Sequence, residues 1–549
     1  MTGPSLGQRI QSFTDGLHGK QYAGAILIDL YYDDYEPCNP IGTARSAYKL
    51  GALLMRVRNV GLLHNSSPAS CHLIMLGYEG DFKASGFSNA FSVVANELRE
   101  LTQIGVEIDS ETIPVRLCQI LGDTKGIHEL FGLLSGKANY FCRECRITRE
   151  VAQHEFVHSN CEPRTVANSV SDLHARSCGQ ESHGVKENCC FNSIPGWHFT
   201  ENYNFDTMHD CNEGFAMYEI KTLLRFYVEQ KRLSVESLNH AISKFDWPKK
   251  SSAPSPNFTY QGLKDKSKKL VQKARQMYYL AVYLPFLIAK RVNVNDEYYR
   301  LLILLITVID ILHAPDCDFA KTFFLDALIE EKLDLFRQLF PSCSITNKQH
   351  HSIHYGHCIR MTGPLSHASC FHFEAKHQEA KQYASLCRNH TNLPHSIAWK
   401  HQLIQFRNFV SGRLIRESLY SKVHEKSSAL NLGETLQRVL YQALAISLTE
   451  EIVISWEFVR DGHIYSKGKC VVPLELDEAN SESVYGIFEF ALLEATKKFI
   501  VVRETESYFS WHLQAFLLTA LGNYRVLPLS AAGRPSAIIR SDFGDSFRR

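Results

Sequence analysis

The chain has 549 residues, with 59 lysines and arginines against 58 aspartates and glutamates, a net charge of +1. Hydrophobic residues make up 45% and charged residues 21%, which excludes a mainly disordered or collagen-like protein. The charge balance excludes a wholly basic nucleic-acid binder but leaves room for a local basic patch. No apolar run reaches the ~18 residues that a bilayer crossing needs, so no membrane partner is expected. The runs at 278–289 and 301–309 are shorter, the first contains Pro285, and both read as buried core helices. The N-terminal MTGPSLGQRIQSFTDG lacks the basic-then-apolar pattern of a secretory signal. The 16 cysteines are therefore expected as reduced thiols, with paired ones as metal candidates, and the 25 histidines point the same way. The length accommodates roughly two to four domains.

In chain order, YAGAILIDLYYDD at 22–34 reads as a buried strand ending in two acids. Pro37-Cys-Asn-Pro-Ile-Gly is turn chemistry. Residues 47–61 bring a strand or short helix, and 72–77 another buried strand. Over 89–104, Phe91, Val94, Leu98 and Leu101 recur on one helical face. IPVRLCQILGD at 113–123 is a second β run ending in an acid. Residues 124–214 are rich in Cys, His, Asn and Ser, either a compact segment held by metal or a flexible insertion. From 215 to 340 the pattern is helical, notably over 215–231 and 318–339, with Asp318 as N-cap and Pro341 after the last turn. Residues 366–384 again read as helix. From about 450 the chain alternates short apolar runs with Gly462, Gly468 and Gly486 as turns, a small β-rich domain.

The acids at the strand ends carry chemistry. A carboxylate at the C-terminal edge of a buried strand is held rigidly facing a cleft. Two of them and a later glutamate can hold two Mg²⁺ or Mn²⁺ ions, hard cations that prefer oxygen ligands and keep positions open for phosphate. Such a pair activates a water or 3′-hydroxyl and stabilises the leaving oxygen. The candidates are Asp33 or Asp34, Asp123 and Glu374. An aspartate after an apolar strand is also ordinary turn chemistry.

Five segments in order, LYYDDYEPCNPIG (30–42), GDTKGIHELFG (122–132), ANYFCREC (138–145), DTMHDCNEG (206–214) and GPL…FHFEAKHQEAK (363–381), resemble the transposase of CACTA (En/Spm-like) DNA transposons. A weaker match, NHTNLPHSIAWKHQ (389–402), follows. The resemblance covers roughly residues 14–410. It implies an α/β fold with a ribonuclease H-like catalytic core, a helical insertion before the last acid, and DDE-type cut-and-paste chemistry in the nucleus. Carried over by motif, the first acid falls in the Asp33–Asp34 pair, with Asp33 favoured. The second is Asp123 and the third is Glu374, on a helix that turns Phe371, Phe373 and the 377–381 face inward. The partner implied is double-stranded DNA, bound by a homo-oligomer. Only ~20 residues precede the first strand, so no separate module for recognising transposon ends is expected from them.

Cys142-Arg-Glu-Cys145 has the spacing of a zinc half-site. The family also carries this pair with a D-x-x-H or C-x-x-H downstream, which here is Asp206-Thr-Met-His209. A structural Zn²⁺ held by Cys142, Cys145, Asp206 and His209 is thus one reading. Competing ligands are Cys161, Cys178, His154 and His158, whereas the adjacent Cys189 and Cys190 chelate awkwardly. The alternative gives His209 and Asp210 structural hydrogen bonds. His350, His351, His354 and His357 also invite a metal reading, but packing and hydrogen bonding are expected instead, since the family uses that stretch as a core strand.

The run LKDKSKKLVQKAR at 263–275 has six basic residues and one acid, and serves either as a solvated helix face or as a phosphate contact. A G-x-S-x-G elbow, a Walker loop and a GxGxxG are absent, so hydrolase, NTPase and dehydrogenase readings have no support. The expected organisation is a first core part (1–145), a Cys/His-rich segment (146–214), a helical insertion (215–345), the end of the core (346–445) and a β-rich domain (446–549). The expected activity is metal-dependent DNA strand cleavage and transfer. The alternative is a domesticated, catalytically silent DNA- or chromatin-binding protein.

Overall fold

The computed structural model describes residues 7–37, 49–248, 252–265, 267–387, 392–412, 419–476, 483–493 and 498–548. The turn expected at 38–42, Lys266 of the basic run and residues 389–391 of the last motif lie outside the described residues. The fold is mixed α/β, and the chain divides into two compact units. One comprises residues 1–225, 265–281 and 297–415, the other 226–264, 282–296 and 416–549. No helix among the described residues is long and apolar enough to cross a membrane.

The first unit is organised by four strands, β1 (Ile26–Tyr35), β2 (Leu50–Val57), β3 (His72–Tyr78) and β4 (Val115–Gly122). Their order is β3-β2-β1-β4, with β2 antiparallel to both β1 and β3, and β4 parallel to β1. β1 and β4 are nearly continuous apolar runs because both faces are covered. Successive side chains alternate faces. Tyr32 meets the edge of Phe91 on helix α1 (Phe87–Ile104), at 5.5 Å between ring centroids. Tyr31, on the other face, stacks on Phe373 at 4.4 Å. Asp29 sits inside β1 and is held by Arg56 at 2.8 Å and Arg58 at 3.1 Å.

The Cys/His-rich segment is compact. It contributes helix Val166–Ser177 and buries Cys142, Cys145, Cys161, Cys189, Phe191 and Trp197. The expected helix at 215–231 is Ala216–Glu229, entered through wide π-type turns at Thr207–Phe215. The 318–339 pattern is helix Phe319–Leu339, with Asp318 at the N-cap position but no side-chain hydrogen bond capping it. The stretch around 350–357 corrects the expectation of a core strand: it forms helices α2 (Asn347–Ser352) and α3 (Tyr355–Thr362). Thr346 caps α2 through a capping box with Gln349, a start signal that outweighs the family analogy. Helix α4 (Phe371–Cys387) follows, its Phe373 and His377 buried and Phe371 partly so. The basic run is not a helix face, since residues 265–273 are non-helical where described.

The second unit is dominated by a nine-stranded antiparallel sheet that begins at Leu419, earlier than the alternation expected from about 450. Pairings among Cys470–Leu476, Ser483–Leu493, Lys498–Ser510, Ala515–Pro528, Gly544–Phe547 and Ser536–Ser541 close a ring. Gly462 and Gly468 turn the chain with positive φ. Gly486 does not: it lies in a strand, where a Cβ would come within 2.8 Å of Val502, so the glycine permits close packing.

Candidate active site

The site forms where β1 and β4 end. Tyr32 and Gly122 are register partners on these parallel strands, so Asp33 and Asp123 are the next residue on each, one strand spacing apart. Gly122 makes this approach possible: a Cβ there would lie 2.5 Å from the carbonyl oxygen of Tyr32. Asp123 also caps the helix Thr124–Leu130, its Oδ1 accepting from the backbone N–H of Gly126 at 2.6 Å.

The two acids of the Asp33–Asp34 pair have different surroundings. Asp33 accepts from the Tyr31 hydroxyl at 3.1 Å and faces His377 Nδ1 at 3.3 Å. Burial works against its charge, yet the hydrogen bond and charge of His377, with His209 beyond, hold the carboxyl below its ordinary range. Asp34 points to the other side, where Lys49 reaches it at 2.5 Å and Lys125 also pairs with it. Asp123 is pushed above its ordinary range by burial, with the negative charge of Asp33 and Asp34 adding to the effect. These carboxylates therefore repel one another, the electrostatic condition that a bound cation relieves.

Glu374 enters from the first turn of α4, which the stacked Tyr31–Phe373 and Tyr35–His377 ring pairs hold against β1. His209 Nε2 lies 3.1 Å from its Oε1. On the other side of the same ring, Nδ1 lies 2.6 Å from Asp206 Oδ2. Asp206 is fixed in turn: its carboxylate accepts from the backbone N–H groups of Met208 and His209 at 3.0 Å each and of Cys370 at 2.9 Å. Burial alone would keep His209 neutral, but Asp206, Cys370 and Glu374 raise its imidazole well above the ordinary range. Its positive charge is also felt by Asp33 and Asp123. His209, paired with Glu374, thus acts through its charge on Asp33 and Asp123 as well.

This corrects the ligand set read from the sequence. Asp206 and His209 belong with Cys370, not with the cysteine pair. Both ring nitrogens of His209 already face carboxylates, so this cluster works as a hydrogen-bonded hub. Cys142 and Cys145 instead converge with His350 and His354, and all four side chains are buried. The signal for this was present in the sequence: His350 and His354 have the H-x₃-H spacing of a second zinc half-site. Of the competing ligands, Cys161 lies near Cys145 and His158 touches His354, outside the four-residue group, while Cys178 is exposed.

A pocket of about 610 Å³ in the same unit is lined by Lys221, Arg225, Lys268, Lys269 and Lys348, with Glu213 the one acid. Lys268 and Lys269 come from the basic run noted in the sequence. Lys348 Nζ donates to the carbonyl oxygen of His209 at 2.5 Å, so one wall of this pocket rests on the hub. Comparison with models of known protein families and with curated proteins finds no match for this chain.

Proposed function

We propose that the chain is a DDE-type transposase-like protein that cuts and joins DNA strands with divalent metal ions on a ribonuclease H-like core. One observation carries the reading: two parallel strand ends deliver Asp33 and Asp123 side by side, and a helix some 250 residues later brings Glu374 to His209, whose charge acts on both aspartates. The sheet order β3-β2-β1-β4, with β1 flanked by antiparallel β2 on one side and parallel β4 on the other, supports the same core. The donors are all carboxylate oxygens, as Mg²⁺ or Mn²⁺ prefers. Asp33, Asp123 and Glu374 would hold the ions, which when bound supply an activated water or 3′-hydroxyl and a stabilised leaving oxygen. The engagement of Asp34 by Lys49 and Lys125 supports Asp33 as the first acid. His209, fixed by Asp206, orients Glu374, and His377 with the Tyr31 hydroxyl orients Asp33. The lysine-lined pocket supports double-stranded DNA as the partner.

The test is nicking of a supercoiled plasmid by the full chain with Mg²⁺ or Mn²⁺. Glu374→Gln should reduce nicking to background while DNA affinity is kept, because the amide preserves shape and removes the charge. Lys268→Ala with Lys269→Ala should weaken binding and lower the log–log salt slope by about 1 per side chain. The second reading, a catalytically silent DNA- or chromatin-binding protein, is favoured by the existing ion pair between Glu374 and His209. Binding without nicking in the unmodified chain would decide for it. Equal nicking by the unmodified chain and Glu374→Gln would remove the acids from the chemistry altogether.

A further inference from the structure

Away from the carboxylates, four buried side chains from distant parts of the sequence aim their donor atoms at one point. Cys142 Sγ lies 3.5 Å from His354 Nε2, Cys145 Sγ lies 3.3 Å from His350 Nε2, and the two Nε2 atoms are 3.2 Å apart. All four donor atoms lie within 4.8 Å of one another. A tetrahedral ion with Zn–S near 2.3 Å and Zn–N near 2.0–2.1 Å sets its ligand atoms about 3.3–3.8 Å apart. These three separations are within ~0.1 Å of that range. Hydrogen bonding alone satisfies the arrangement poorly, because two thiols and two imidazole nitrogens bring four lone-pair groups together in a site without solvent. His354 has the outer contact that a ligating imidazole usually keeps, its Nδ1 lying 2.8 Å from Nδ1 of His158.

The geometry points to a structural Zn²⁺ site made by Cys142, Cys145, His350 and His354, closed to substrate and independent of the DNA reading. Its place in the fold gives it a task. Arg143, between the two cysteines, lies 3.7 Å from Asp210 Oδ2 and sits over the Phe205 ring at 4.3 Å. His351, beside the first histidine, faces the same Oδ2 through Nδ1 at 3.0 Å. Each half-site therefore carries one of the residues that grip Asp210, the neighbour of His209. One ion would clamp together two segments about 205 residues apart in sequence and set the position of the hub.

The experiment uses the full chain purified without a chelating tag from zinc-replete medium. Elemental analysis is expected to give close to one zinc per chain. Exchange with Co²⁺ should give intense visible ligand-field bands of a tetrahedral site and a near-ultraviolet thiolate charge-transfer band. His350→Ala and His354→Ala should lose these bands, whereas Asp206→Asn and His209→Gln should keep them. Because alanine variants can fail through misfolding alone, His354→Cys is the sharper probe. A Cys₃His set is an accepted zinc site, so this variant should retain the metal and raise the charge-transfer intensity about 1.5-fold, as three thiolates replace two. Metal-free protein with Cys142 and Cys145 freely alkylated in the folded state would overturn the proposal. So would retention of the cobalt bands in both alanine variants, or an unchanged charge-transfer band in His354→Cys.

Discussion

The two units bury different things. In the second unit, the core around Phe458, Val472, Phe488, Ile500 and Val502 is apolar, and no charged residue is among its fully buried side chains within the described residues. In the first unit, the buried set includes Asp29 with Arg56 and Arg58, Glu219 with Lys332, and Asp210 with Arg143 and His351. An apolar core tolerates apolar substitutions that keep its volume. A core of paired charges depends on each partner, because removing one strands the other without water. The same polar interior that makes the first unit vulnerable is what holds carboxylates in fixed positions at its strand ends.

The largest expected effect of that contrast is at Lys332. Its Nζ lies 2.6 Å from Glu219 Oε1, and both side chains are fully buried. Lys332→Met should cost about 3–5 kcal/mol in urea unfolding of the first unit, as an unpaired buried carboxylate does. Adding Glu219→Gln, which can still accept the hydrogen bond that Gln349 Nε2 donates at 3.0 Å, should recover more than half. If the single and double variants are equally unstable, the charge pairing is not what matters there.

Val502→Thr is the reciprocal test in the second unit. It keeps the volume but puts a hydroxyl into the apolar core, and should cost about 1–3 kcal/mol. A change near zero would mean that this core is wetter than the contrast requires.

Acid should act mainly on the first unit. Burial lowers the imidazoles of His128 and His401 to about 3. With the folded values depressed below the unfolded ~6.5, the unfolded chain takes up these protons first, so stability falls as pH drops from about 6.5 toward 3. Each histidine adds up to about 1.4 kcal/mol per pH unit to the slope. His128→Gln should flatten the fall of Tm over pH 6.5–4.5. An unchanged slope would shift the effect to other groups.

The smallest expected effect separates structure from chemistry at one acid. Asp123→Ala removes a helix cap and should cost about 0.5–2 kcal/mol, whereas Asp123→Asn keeps the cap and should cost far less. Both should abolish nicking. Nicking retained by the asparagine variant would assign Asp123 to capping alone.

Much of the site was legible because strands with both faces buried read as continuous apolar runs. Those ending at Asp33–Asp34 and Asp123 stand out, and the structure sets Asp33 and Asp123 on adjacent strands. The choice between Asp33 and Asp34 was not legible, because it depends on Lys49 and Lys125 approaching from other segments. The cluster of Cys142, Cys145, His350 and His354 is half legible: the two cysteines fall within four positions of sequence, but the histidines lie about 205 residues away, and nothing local links the two pairs. The strands from Leu419 were hidden by an exposed, polar edge, Leu419–Ser428, whose alternation carries little apolar signal. Helix α2 is missed because the strand expectation comes from the family resemblance, whereas the local start signal is the Thr346–Gln349 capping box just before the histidines.

The first unit is drawn from three separate stretches of chain, and this has a consequence during synthesis. At ribosomal rates of 5–20 residues per second, the roughly 250 residues from Asp123 to Glu374 take about 13–50 s to emerge. Throughout that interval β1 and β4 can pair, but the face that carries Tyr31 lacks its cover, since Phe373 comes with the same late helix as Glu374. The nascent chain therefore carries an uncovered aromatic face for as long as it lacks Glu374 and its helix. The late helix ends both conditions in one event, since it brings Phe373 and Glu374 together.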